Sequence, residues 1–210
     1  MRPRHFALLA ALLGYWMPWL ALPAVALQLN AYELSEWVTF MPAVQLGEVP
    51  FNRLSFLIPA ACLALLFALA SAQSRTARRR PALAIWPDSM WGWVLLGCAG
   101  LSVAAVFPYY PYLLTAYGDP EFQAQFFVAC AVVAGIGLAF ITPDWLSSLA
   151  PIALAVIGIG YSLWALWALL PVAAELLRAP WPVGWGWPLT LVGLALVVAA
   201  EWRTLFRPRA

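Results

Sequence analysis

The strongest constraint on this chain is the recurrence of apolar stretches about 20 residues long, because that many cannot be hidden behind a polar shell. Of its 210 residues 65% are hydrophobic and only 10% are charged, so the bilayer is the expected solvent. A chain of this length has room for about six spanning helices joined by short loops. It reads as an all-α, polytopic integral membrane protein with a single transmembrane domain over 1–210. The expected spans lie near 6–27, 54–72, 90–107, 122–141, 149–170 and 184–200.

Direction comes from charge. Arg75, Arg78, Arg79 and Arg80 form a cationic loop between the second and third spans, and arginine-rich loops stay cytoplasmic. Six spans with both termini inside place Arg2, Arg4, the four loop arginines, Arg203, Arg207 and Arg209 in the cytoplasm. Only Arg53 and Arg178 then fall outside. This imbalance fixes the expected orientation, in the plasma membrane of a bacterium. The first apolar stretch has a second reading, since Ala24-Val25-Ala26 resembles a signal-peptide cleavage site. Trp16, Pro18, Trp19 and Pro23 within that stretch favour a retained helix.

Between the first two spans the chain turns polar. Asn30 and Glu33 have the spacing of a capping box, which predicts a short helix over about 30–42 in the first external loop. Leu34, Trp37, Val38 and Met41 fall on one face of it. Two placements are open: lying in the outer membrane interface with Trp37 as anchor, or packed on the ends of the spans. Asp88 or Ser89 is positioned to cap the third span and Asp144 the fifth. Small residues recur at Ala131, Gly135 and Ala139 in the fourth span, and Gly158 and Ser162 share a face in the fifth, both suited to close helix packing. Trp91-Gly92-Trp93 and Trp185-Gly186-Trp187 begin the third and sixth spans on opposite sides, a weak echo of an inverted repeat.

Chemical signals are sparse. His5 is the sole histidine, so histidine-rich metal or haem sites cannot be built within one chain. Cys62, Cys98 and Cys130 fall inside expected spans without CxxC spacing and read as packing residues. No catalytic group, metal or cofactor is expected, and the formal charge of +2 is too small to suggest nucleic acid. No ionisable residue falls at mid-span, which disfavours a proton-coupled carrier. The candidate contacts on the outer face are Glu33, Glu36, Trp37, Glu175 and Arg178. Glu33 with Glu36 forms a conceivable acid/base pair, and Glu175 with Arg178 an interfacial ion pair.

The functional expectation is a non-enzymatic membrane subunit or accessory protein of a larger complex, with transport components among the proteins it could pack against. Its partners would be membrane lipids and other membrane proteins or further copies of itself. A small permease or channel is the alternative, and a membrane-embedded enzyme working at the outer interface is a third.

Overall fold

The computed structural model describes residues 3–22, 27–74, 87, 89–109, 112–141, 143–178 and 183–206. The arginines at 75, 78, 79 and 80, the Ala24–Ala26 cleavage signal and Asp88 lie outside the described residues. The protein is mostly helical. Helix α1 (Pro3–Trp16) is followed by strands β1 (Leu20–Leu22) and β2 (Leu27–Leu29), then the short helices α2 (Ala31–Trp37) and α3 (Pro42–Gln45). The long helices α4 (Arg53–Gln73), α5 (Met90–Val106), α6 (Gln123–Ala139), α7 (Asp144–Leu177) and α8 (Gly186–Leu205) complete the order. Among the described residues, α4, α7 and α8 are long and apolar enough to cross a membrane. Helices α5 and α6 are apolar but 17 residues each. At 1.5 Å per residue each extends about 25 Å, somewhat less than a ~30 Å hydrocarbon core.

The first apolar stretch is not one helix from 6 to 27. Helix α1 stops at Trp16, because Pro18 has no N–H to donate to the Gly14 carbonyl and its ring would clash there. The indole Nε1 of Trp19 donates to that carbonyl instead, at 3.1 Å. Beyond Trp19 the chain forms an antiparallel pair, with Leu20 opposite Leu29 and Leu22 opposite Leu27. The amides of Gly184 and Gly186 bond to the carbonyls of Trp19 and Pro18, which ties the start of α8 to the end of α1.

Two of the expected caps, at Asn30 and Ser89, are present. Asn30 Oδ1 accepts the Glu33 amide at 2.9 Å while the Glu33 carboxylate accepts the Asn30 amide at 2.8 Å, a complete capping box. The helix it starts is shorter than 30–42: it passes into a 3-10 turn at Val38–Phe40, and Pro42 restarts the chain as α3. Leu34, Val38 and Met41 are buried against the bundle and Trp37 is half-buried, so this segment is packed onto the ends of the long helices. Ser89 Oγ caps α5 by accepting the Gly92 amide. Helix α7 starts from Pro143 without a side-chain cap.

Helix α4 is the axis of the bundle. Its side chains from Phe56 to Ala70 are almost wholly buried and apolar, in contact with α5, α7 and α6 around it. Successive long helices alternate in direction. Ser71 near the end of α4 bonds the Gly92 carbonyl at the start of α5, and Gln125 at the start of α6 bonds the Val106 carbonyl at the end of α5. The first turn of α1 meets the last turns of α4 and α8, so both described chain ends lie at one end of the bundle.

The closest helix pair, α1 with α8, carries a small-residue seam that the sequence pattern did not reveal. A Cβ on Gly193 would sit 2.5 Å from the Ala11 amide nitrogen, and one on Gly14 would sit 2.4 Å from that of Thr190. Gly158 is likewise held against Leu194 and Cys62, and both it and Ser162 are buried, so the expected packing face of α7 is in use. The expected α6 strip is only partly in contact. Gly135 meets Leu65 and Ala139 is buried against Ala68 and Leu69, but Ala131 faces outward.

Candidate functional site

Among the described residues, each end of the bundle buries one arginine. At the end holding the chain termini, Arg4 of α1 donates to Gln73 of α4 and, at 3.1 Å, to Glu201 of α8. Gln73 in turn donates to the Ser147 carbonyl of α7 at 2.7 Å. The Arg4 and Glu201 side chains are 9% and 7% exposed. Around them remains a void of about 10 Å³, close to the size of one water molecule.

The opposite end is built differently. Arg53 opens α4 and points across to α6, where its guanidinium donates to Gln125 at 3.2 Å and to Glu121 at 3.0 Å. It also reaches Glu36 of α2 at 3.3 Å, and its Cζ sits 4.3 Å from the centroid of the Phe122 ring. Gln125 Nε2 bonds the Val106 carbonyl, so this one amide joins α4, α5 and α6. Glu121 lies in the turn just before α6 and Gln125 in its first turn, and both side chains reach Arg53.

Of this cluster, Arg53, Glu121 and Gln125 wall a cavity of about 510 Å³ between α3, α4 and α6. Polar side chains on its wall include Thr39, Gln45 and Asn52, and apolar ones include Phe40, Val44 and Leu54. That volume and mixture suit a small-molecule or headgroup site. Two carboxylates facing one guanidinium leave a surplus negative charge. Burial pushes the Glu36 carboxyl above its ordinary value; Arg53 opposes that shift and nearby Glu121 adds to it. Burial also raises Tyr32 beside it, and Glu36 adds to that effect.

The sequence-expected residues divide cleanly. Glu36 belongs to the cluster. Glu33 is occupied as the helix cap, so Glu33 and Glu36 serve different partners and do not form an acid/base pair. Trp37 packs against the core. Glu175 and Arg178 are both exposed and no ion pair joins them. Arg178 is instead the left-handed stop of α7, with φ 49° and its amide turned back toward the Ala174 and Glu175 carbonyls. Cys62 is buried, Cys98 half-buried and Cys130 exposed, all as free thiols. Among the described residues no three His, Cys, Asp or Glu side chains gather to hold a metal ion.

Arg53, Glu121 and Gln125 at one end, and Arg4, Gln73 and Glu201 at the other, were not singled out by sequence. The available signal was positional: each arginine stands in the first turn of an apolar helix, where burial demands a partner from another helix. Compared with protein-family models, curated proteins and solved structures, the chain matches none of them.

Proposed function

We propose that this is a six-span protein of the bacterial plasma membrane, with both termini cytoplasmic, serving as a non-enzymatic subunit or accessory of a larger membrane assembly. The observation that carries this reading is the placement of small residues on the exposed faces of two apolar helices. Gly97, Gly100 and Ala104 line one exposed face of α5 at helical spacing. Cys130, Ala131, Ala134 and Gly137 are exposed together on α6. A Cβ added at Gly97, Gly100 or Gly137 would meet no atom within 4 Å.

Inside this chain, glycine at Gly14, Gly186 or Gly193 has a local reason, because another backbone presses on it. Lipid tails impose no such requirement, and glycine in a helix interior costs about 0.5–1 kcal/mol relative to alanine. Outward glycines therefore suit a neighbouring helix from another chain. The filled apolar interior around α4 favours a scaffold over a conduit.

The test is replacement of Gly97 and Gly100 together by leucine. The variant chain should keep its own thermal stability in detergent but lose the membrane partner, or second copy, that copurifies with the wild type. A wild-type chain that purifies as a lone monomer, or a variant that retains its partner, overturns the reading.

A further inference from the structure

The cavity at the Arg53 end has unspent hydrogen-bonding capacity of two kinds. Arg53 forms part of its wall, and its Nε has no hydrogen-bond partner although the side chain is only 8% exposed. The remaining polar wall is rich in acceptors. Glu121 gives one oxygen to Arg53 and its side chain stays 59% exposed, while Gln45 spends its Nε2 on the Thr39 carbonyl and keeps its Oε1. A buried donor thus stands beside a surplus of carbonyl and carboxylate acceptors. Phe40, 76% exposed, and Leu54 supply an apolar rim at the level where the long helices begin.

A purely anionic ligand would meet the Glu121 carboxylate on the same wall as Arg53, and a purely cationic one would leave the Arg53 donor unused. A ligand carrying both charges answers both conditions. We propose that this cavity binds the zwitterionic headgroup of an aminophospholipid, with its phosphate toward Arg53 and its primary ammonium on Glu121 and Gln45. The acyl chains leave over Phe40 and Leu54. The ammonium must be primary, since a quaternary one has no N–H for those acceptors. The assignment rests on the membrane placement proposed above and not on the subunit role.

The experiment places the full chain in bilayer discs made from equal parts phosphatidylcholine, phosphatidylethanolamine and phosphatidylglycerol, then measures the lipids retained after a detergent wash. Retention of phosphatidylethanolamine should exceed that of either other lipid about tenfold, the scale of one charge-assisted hydrogen bond. Glu121→Gln, which removes the ammonium partner at an exposed position, should bring the three lipids to near parity. Ala124→Trp should do the same by filling the cavity from the α6 wall without altering any charge. Equal retention of the three lipids by the wild type, or wild-type selectivity in either variant, overturns the proposal. Displacement of the lipid by an equal concentration of free phosphoethanolamine overturns the lipid source. A chain that does not enter the discs refutes the membrane placement instead, a result distinct from loss of selectivity.

Discussion

The Arg4 and Arg53 ends use nearly the same parts, an arginine, a glutamine amide and glutamate, but one is closed and the other open. At the Arg4 end the pair is sealed, with both side chains less than a tenth exposed and a void of only about 10 Å³ beside them. At the Arg53 end the guanidinium is as deeply buried, yet its partner Glu121 is 59% exposed and the wall encloses about 510 Å³. The difference lies in what covers each arginine. Arg4 is enclosed by last and first turns of long helices, which pack on all sides. Arg53 is roofed by the short segments α2 and α3, and these leave space. Similar ion chemistry therefore sits in a closed clamp at one end and beside an open cavity at the other.

The largest expected effect breaks the clamp. Glu201→Ala leaves the Arg4 guanidinium in a nearly closed site with one partner fewer, and removing one member of a buried ion pair typically costs about 3–5 kcal/mol. Unfolding followed in detergent should show that loss. Replacing both residues, Arg4→Met with Glu201→Leu, should recover most of it, because buried pairs often exchange for apolar residues at little net cost. A small effect of Glu201→Ala would mean that the Arg4 end is wet and the contrast between the ends is wrong.

Acidity should distinguish the two ends next. Glu36 is held above its ordinary pKa chiefly by burial, with Glu121 adding to the shift and Arg53 opposing it. The folded state therefore holds this proton more tightly than the unfolded chain. Stability should fall as pH rises from the ordinary glutamate range, near about pH 4, up to the raised folded value, and level off above it. Melting temperature against pH, compared between wild type and Glu36→Gln, isolates this contribution: the variant should lack that decline. An unchanged slope would remove Glu36 from the account of the open end.

What could be read in the sequence was what is local. The Asn30–Glu33 box, the Ser89 cap and the Gly158–Ser162 face depend on residues a few positions apart, and each has its expected place. Pro18 is a visible stop signal for α1, outweighed in the sequence by the unbroken apolar run around it. The α6 strip misleads for a geometric reason: steps of four residues turn about 40° past a full circle, so Ala131 lies well around the helix from Ala139. The buried ion clusters were least legible. Arg4 and Glu201 are 197 positions apart, and Arg53 and Gln125 are 72 apart, so their pairing follows from bundle topology and not from any local pattern.

The smallest expected effect on stability belongs to Glu121, and it sharpens the comparison most. Glu121 stands at the open rim, and exposed ion pairs contribute roughly 0–1 kcal/mol. After Glu121→Gln, Arg53 keeps Glu36, Gln125 and the Phe122 ring, so the bundle loses little. The melting temperature should barely move, whereas Glu201→Ala should lower it strongly. A large loss from Glu121→Gln would make the Arg53 cluster a second clamp and the cavity beside it a packing gap. Near-invariant stability, combined with lost discrimination among lipid headgroups, is the pattern required of a carboxylate that faces a ligand and does not hold two helices together.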